Sequence, residues 1–124
     1  MANRKELVER RKHKRFQVDN GAFVRVGPHS YKMGRLIDIS MGGLAFHYVG
    51  SQEANESYLA IFLTETNFYL DEVPIKTVWD LEMAGKLPSS SITVRRHGVQ
   101  FVNLPDEQRS QVQFFINNHT IGEA

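Results

Sequence analysis

Residues 32–49 read KMGRLIDISMGGLAFHYV, and this stretch decides the fold. Two apolar runs, at residues 36–39 and 44–49, flank a Ser-Met-Gly-Gly segment. Glycine adopts the backbone conformations that a tight turn demands, and short apolar runs between turn signals are typical of strands. The stretch therefore predicts two strands that pair through a turn at Gly42 and Gly43.

Similar runs lie on both sides of this predicted hairpin. Further strands are predicted within residues 16–26, 58–63, 68–81 and 92–102, with turns or loops at 27–30, 50–57 and 84–91. Pro74 lies inside one of these runs and predicts an edge position or a bulge. About six short strands predict an all-β fold, either a small antiparallel barrel or a sandwich.

The hydrophobic period changes near the end of the chain. Pro105 and the two acidic residues that follow it suit the first turn of a helix. Beyond them Val112, Phe115 and Ile116 recur at helical spacing. The sequence therefore predicts a C-terminal α-helix that turns this apolar stripe toward the core.

Composition bounds the class of protein. The 124 residues suit one domain, and the absence of cysteine excludes disulfides, cysteine metal sites and cysteine nucleophiles. The first residues lack the apolar core of a secretion signal, and no run approaches the roughly 20 apolar residues of a membrane helix. We therefore expect a soluble cytoplasmic protein without membrane insertion.

The charge is unevenly distributed along the chain. Residues 1–15 carry seven Lys or Arg and two Glu, a net charge of +5. Residues 16–124 carry eight Lys or Arg and twelve Asp or Glu, a net charge of −4. This division predicts a flexible basic arm at residues 1–15 and a single β-barrel domain with its closing helix at residues 16–120. A basic arm favours an anionic partner, although a merely solvated tail is the alternative.

Two short motifs stand 23 residues apart in this frame. The first is Arg11-xxx-Arg15, preceded by Arg10, and the second is Asp38-x-Ser40-x-x-Gly43. In this order and separation they resemble the RxxxR and D/NxSxxG motifs of the PilZ family. The resemblance extends to the predicted strand at residues 97–102 and to the closing helix. It implies a six-stranded β-barrel that binds cyclic di-GMP, often as an intercalated dimer, with the arm folded over the ligand.

The residue types suit that ligand on chemical grounds. Arginine offers forked donors to phosphate oxygens or to guanine O6 and N7, which favours Arg10, Arg11 and Arg15 as ligand-binding residues. The Asp38 carboxylate can accept hydrogen bonds from guanine N1 and N2, and Ser40 can donate or accept. The candidate site also includes two glycines that allow a ligand to approach the backbone, Gly42 and Gly43.

Other residues are open to two interpretations. Trp79 follows a predicted strand at residues 75–78 and is either a stacking platform for a base or a core or rim residue. Asp38 and Ser40 are also common turn-capping residues. Arg95 and Arg96 are neighbours in a predicted strand, so their side chains point to opposite faces of the sheet. One of them therefore faces the side on which the ligand would bind.

No catalytic motif is recognisable, and the five histidines lack metal-ligand spacing. We therefore expect neither an enzyme nor a protein with a metal or cofactor. The resemblance implies instead a receptor for cyclic di-GMP, which we expect to signal to a downstream protein in trans. Such partners would govern motility, adhesion, pili or exopolysaccharide. Two alternatives are a nucleotide-independent adaptor of the PilZ type and a nucleic-acid-binding barrel. The acidic body argues against the second, because nucleic-acid-binding domains usually spread positive charge over one face.

Overall fold

The computed structural model describes residues 13–19, 21–27, 32–49, 57–83 and 94–124. Within these ranges the strands are β1 (Phe16–Val18), β2 (Ala22–Gly27), β3 (Met33–Ile39), β4 (Gly43–Val49), β5 (Tyr58–Leu63), β6 (Tyr69–Glu82), β7 (Val94–Phe101) and β8 (Thr120–Glu123), and the helix α1 is Asp106–His119. Most of the predicted basic arm, including Arg10 and Arg11, lies outside the described residues. No helix in the described ranges is long and apolar enough to cross a membrane.

Six strands close into an antiparallel barrel, which confirms the predicted fold class. Their order is β2-β5-β6-β7-β4-β3, and β3 pairs back onto β2 through Phe23–Arg35 and its neighbours. Alternation along β2 explains which side chains turn inward, since Ala22, Val24 and Val26 are buried and the residues between them are not. Because β2 and β3 pair with each other, neither end of the six-stranded sheet is left as an unpaired edge strand.

The interior is one hydrophobic core that the helix joins. Phe46, Leu36 and Ile61 are almost fully buried inside the barrel, and Val112, Phe115 and Ile116 of α1 belong to the same cluster. The predicted apolar stripe of the helix is therefore confirmed as a core-facing surface.

Two short strands, β1 and β8, extend the sheet outside the barrel. β1 pairs with β3 on one side and with β8 on the other. The strand region predicted at residues 16–26 holds two strands, because β1 ends at Val18 and Gly21, with a φ of 100°, starts a new direction for β2. The sequence analysis did not anticipate β8, whose four residues have little apolar pattern of their own and depend on pairing with β1.

β6 is a single 14-residue strand that covers most of the region predicted as strand at residues 68–81. Trp79 therefore lies within a strand and not after one. Pro74 is paired with Tyr58 inside the barrel, so that its predicted edge position was wrong, and its carbonyl accepts a hydrogen bond from the Val102 amide at 3.0 Å. The predicted bulge is present nearby, since the β5–β6 register shifts and Glu72 has a φ of 53°.

Candidate functional site

A cleft on the outer surface of the barrel is built on one row of residues across four strands. Asp38 of β3 pairs with Ala45 of β4, which pairs with Gly98 of β7. Gly98 pairs in turn with Trp79 of β6. With strands about 4.8 Å apart, the row spans roughly 14 Å of surface. The two small residues leave a shallow floor, with Asp38 and Trp79 at its ends.

A bulge in β3 turns Asp38 onto this surface. In a regular strand Leu36 and Asp38 would share a face, but the register with β4 shifts between them. Leu36 and Ile39 are both in the core, so Ile37 is the extra residue and Asp38 faces outward opposite Ala45. Asp38 is nevertheless only 5% exposed, because the neighbouring groups of the cleft enclose it.

A second bulge, in β6, turns Trp79 toward the same cleft. The register with β7 shifts between Thr77 and Trp79. Thr77 Oγ1 lies 2.8 Å from Nε2 of the buried His97, whereas Trp79 lies on the opposite face over Gly98. A Cβ at position 98 would overlap the indole ring, so glycine is required there for the ring to lie against the backbone.

The Ser40–Gly43 turn forms the rim of the cleft beside Asp38. Ser40 Oγ accepts hydrogen bonds from the amides of Gly42, at 3.0 Å, and Gly43, at 3.2 Å. The Ser40 amide donates to the Gly43 carbonyl at 2.8 Å. A Cβ at Gly43 would overlap the Val99 carbonyl of β7, so the turn packs directly on the next strand. In this structure Ser40 therefore caps the turn.

The end of the basic arm reaches the cleft and is anchored behind it. His13 and Arg15 line the cleft. The Arg15 carbonyl accepts a hydrogen bond from the Ala124 amide at 3.0 Å, and Lys14 Nζ lies 3.3 Å from Glu123 Oε1. The arm therefore enters β1 while it is held by the C-terminal strand.

Arg96 of β7 contacts both ends of the row. Its Nη2 is 3.5 Å from Asp38 Oδ2, and its guanidinium carbon is 5.7 Å from the centre of a Trp79 ring. His47 pairs with Arg96 across the β4–β7 ladder and with Arg35 across the β3–β4 ladder. Burial lowers the pKa of His47, and the charges of Arg96 and Arg35 lower it further. His47 is therefore neutral at physiological pH.

The cleft so formed has a volume of about 230 Å³. Its walls combine a carboxylate acceptor, an aromatic face, the Arg15 guanidinium and a glycine turn, which together suit a planar, hydrogen-bonding anion such as a nucleotide. Among the described residues no group of three or more His, Asp or Glu could hold a metal ion. Its lining residues are His13, Arg15, Asp38, Ser40, Gly42, Gly43, Leu44, Ala45, Val78, Trp79, Gly98, Val99 and Gln100.

Comparison with protein-family models matches the PilZ domain over residues 9–118. The chain belongs to the PilZ family. Curated protein sequences yield no match to this PilZ domain.

Solved structures of PilZ proteins share this fold. The PilZ domain of YcgR from Escherichia coli with c-di-GMP superimposes with a TM-score of 0.68 at 18% identity, over 89% of this chain and 91% of that one. YcgR from Escherichia coli in complex with c-di-GMP gives 0.66 at 19% identity over 87% of this chain, and MrkH, a c-di-GMP-dependent transcription regulatory factor, gives 0.63 at 12% over 87%. This chain spans 45% and 50% of the latter two.

In this PilZ domain the described residues predicted as site residues share one cleft. Arg15, Asp38, Ser40, Gly42 and Gly43 all line it, and Trp79 lines it opposite Asp38. Trp79 is half-buried against Gly98, so it is a rim residue that also presents an aromatic surface to the cleft.

Three participants were missed or left open by sequence reasoning. Arg96 contacts Asp38, whereas Arg95 faces the other way and binds Asp80 at 2.7 Å. Ala45 and Gly98 form the floor, although neither carries a functional group. The sequence signal for Arg96 and Gly98 was the alternation along β7, where every second residue from Val94 to Gln100 faces outward. That signal identifies site residues only once the outer face of the barrel is known to carry the cleft.

A buried polar network lies beneath Trp79 on the opposite face of β6. Asp80 accepts hydrogen bonds from the Tyr48 hydroxyl at 2.6 Å and from Arg95 Nε at 2.7 Å, and its side chain is 2% exposed. Burial alone would raise the pKa of Asp80, but the hydrogen bonds from Tyr48 and Arg95 and the nearby His97 outweigh it and lower the pKa. The ionised carboxylate thus anchors β6 immediately after Trp79.

Proposed function

We propose that this PilZ domain is a receptor for cyclic di-GMP, which binds unchanged in the cleft between Asp38 and Trp79. The observation that carries the proposal is the row from Asp38 through Ala45 and Gly98 to Trp79, with Arg15 beside it. It is supported by family membership and by the similarity to PilZ structures that contain c-di-GMP.

The two ends of the row suit a guanine base. In the proposed complex the Asp38 carboxylate accepts hydrogen bonds from guanine N1–H and N2–H. The purine then lies over the small residues Ala45 and Gly98. A larger side chain at either position would fill the space that the purine needs. The Trp79 indole provides a stacking surface, an interaction worth about 1–3 kcal/mol per base in nucleic-acid binders.

The arginine motif supplies the charge complement. We propose that Arg15, together with Arg10 and Arg11 of the arm, binds the two phosphodiesters or guanine O6 and N7 through forked donors. Ser40 acts indirectly, since its hydroxyl is engaged by the turn amides and shapes the rim at Gly42 and Gly43. Because Arg10 directly precedes the RxxxR motif, we propose that the ligand binds as an intercalated dimer.

The signal would leave through the arm. Residues 1–15 form the arm and residues 16–120 the barrel domain in this proposal, and ligand binding orders the arm over the cleft, an order–disorder switch. Arg15 leads into β1, which pairs with β3 beside Asp38 and with β8 on its other side. The ordered arm and the β1–β8 ribbon would form the surface that a downstream protein recognises in trans, in the cytoplasm, to control motility, adhesion, pili or exopolysaccharide.

Isothermal titration calorimetry tests the receptor function. Cyclic di-GMP is titrated at physiological salt into wild type, Asp38→Ala and Arg15→Ala, with GTP and a short oligonucleotide as control ligands. We expect saturable binding of cyclic di-GMP alone, a molar ratio of two, and at least tenfold weaker binding in both variants. Absence of heat in a wild-type protein that melts cooperatively would refute the proposal. Equal binding of the oligonucleotide with a steep salt dependence would point to a nucleic-acid-binding barrel instead.

A further inference from the structure

Arg96 makes the two contacts that the guanine base is proposed to make. Its Nη2 approaches Asp38 Oδ2 at 3.5 Å, and its planar head lies by the Trp79 ring, 5.7 Å from the centroid. Both partners are cleft walls. A guanidinium from the barrel itself therefore contacts both the acceptor and the aromatic surface.

The chemistry of the two groups explains why one site accepts both. In guanine, C2 is bonded to N1, N2 and N3, which makes a guanidine fragment fused into a ring, and the N1–H and N2–H donors of this fragment lie on the Watson–Crick edge. Like the arginine head it is planar, presents adjacent N–H donors to a carboxylate, and stacks on an aromatic face. A pocket that recognises one by these features recognises the other.

We propose that Arg96 is a built-in surrogate for guanine, which makes from beside the cleft the two contacts proposed for the base and must give them up when cyclic di-GMP binds. The inference rests on the proposed function and adds a competitor within the same site. It makes Arg96 a residue that sets affinity, in contrast to the arginines of the arm, which bind the ligand.

The contacts that hold Arg96 are weak enough to be exchanged. The ion pair with Asp38 is long, and 37% of the Arg96 side chain is exposed to solvent, which screens the attraction. Arg96 Nε is buried without a hydrogen-bond partner among the described residues, so this placement leaves one donor unsatisfied. A ligand that saturates Asp38 and covers Trp79 more completely therefore displaces it.

Chemical complementation tests the occupancy. Methylguanidinium chloride is titrated, at constant ionic strength, into wild type, Arg96→Ala, Arg96→Ala/Asp38→Ala and Arg35→Ala, and fluorescence is followed from Trp79, the only tryptophan. We expect a saturable signal in Arg96→Ala and none in the other three. Thermal melts verify folding, and Arg96→Gln replaces Arg96→Ala if the latter melts early. No saturation in the single variant, or equal saturation with Asp38→Ala added, would overturn the proposal.

The competition itself is tested with cyclic di-GMP. Arg35→Ala is the charge-matched control, because Arg35 is exposed on β3 two strands from Arg96, and its loss also removes one positive charge near the ligand. We expect Arg96→Ala to bind cyclic di-GMP roughly three- to tenfold more tightly than Arg35→Ala does. This factor corresponds to the loss of one exposed ion pair and one cation–π contact that the ligand would otherwise have to break. Binding as weak as that of Arg35→Ala, or weaker, would refute the surrogate.

These outcomes separate the two proposals. A wild-type protein that binds no cyclic di-GMP refutes the receptor function. An Asp38-dependent methylguanidinium site in Arg96→Ala would still establish that the Arg96 guanidinium engages Asp38 and Trp79. A wild-type protein that binds cyclic di-GMP, with Arg96→Ala no tighter than Arg35→Ala, refutes the surrogate alone.

Discussion

The indole of Trp79 lies so close to the backbone of Gly98, its cross-strand neighbour, that a single methyl group at position 98 would overlap the ring. The aromatic end of the cleft therefore depends on the absence of a side chain one strand away. Gly98 is also part of the floor of the cleft, so the same contact shapes both its floor and its aromatic wall.

Gly98→Ala is expected to push the indole off the floor and to weaken cyclic di-GMP binding at least tenfold, with a shift in the Trp79 emission maximum. The control is Gly27→Ala, since a Cβ at Gly27 meets nothing within 4 Å. Calorimetry and fluorescence measure the two effects. Unchanged affinity in a Gly98→Ala protein whose emission has shifted would show that Trp79 does not contact the ligand.

Trp79→Ala removes the proposed stacking surface directly. Base stacking on an aromatic side chain is worth about 1–3 kcal/mol, so the dissociation constant should rise roughly 5- to 150-fold. Trp79→Phe is the matched variant, because it keeps an aromatic face, and it should retain most of the affinity. Titration calorimetry on both decides the matter, and equal affinities in wild type and Trp79→Ala would contradict a stacking role.

Ser40→Ala is predicted to act mainly on stability. It removes the acceptor of two turn amides, those of Gly42 and Gly43, and leaves half-buried N–H groups unsatisfied. The expected loss in the free energy of unfolding is about 1–2 kcal/mol, measured by urea denaturation. Ser40→Thr keeps the hydroxyl and serves as control. A normal stability of Ser40→Ala combined with lost ligand binding would instead make the Ser40 hydroxyl a direct ligand contact.

Asp80 should make stability depend on acid pH. Its folded-state pKa lies below the ordinary value of 3.8, so its stabilising contribution is present above pH 3.8 and declines as pH falls further, through the lowered folded-state pKa. Asp80→Asn removes this contribution and leaves Arg95 without its carboxylate, which should cost about 3–5 kcal/mol at pH 7.

Urea denaturation from pH 7 down to pH 2 measures this effect. The gap between wild type and Asp80→Asn should remain constant above pH 3.8 and narrow below it. The control Glu65→Gln removes an exposed carboxylate, and its stability should run parallel to that of wild type. A gap that does not change below pH 3.8 would mean that Asp80 is not ionised in the folded protein.

Sequence reasoning was most effective where a residue acts through its local neighbours. The Ser40–Gly43 turn and the stripe of Val112, Phe115 and Ile116 follow from backbone geometry and helical period, and both are present as predicted. It failed where a short segment depends on a distant partner. β8 exists because residues 120–123 pair with β1, more than 100 residues earlier in the chain, and no local pattern carries that information.

The sequence by itself determined the kind of protein: a small all-β domain with a basic N-terminal segment, two motifs in the order that resembles the PilZ family, and a closing helix. Only the tertiary structure decided which faces those motifs use. Strict alternation puts Asp38 on the same face as Leu36, and Trp79 on the same face as Thr77, but one extra residue in each strand reverses both. A bulge costs one residue of pairing. Whether it forms depends on which side chains of β3 and β6 pack into the core when these strands pair with β4 and β7. That balance brought Asp38 and Trp79 to one cleft, and it brought Arg96, which the sequence left open beside Arg95, into contact with both.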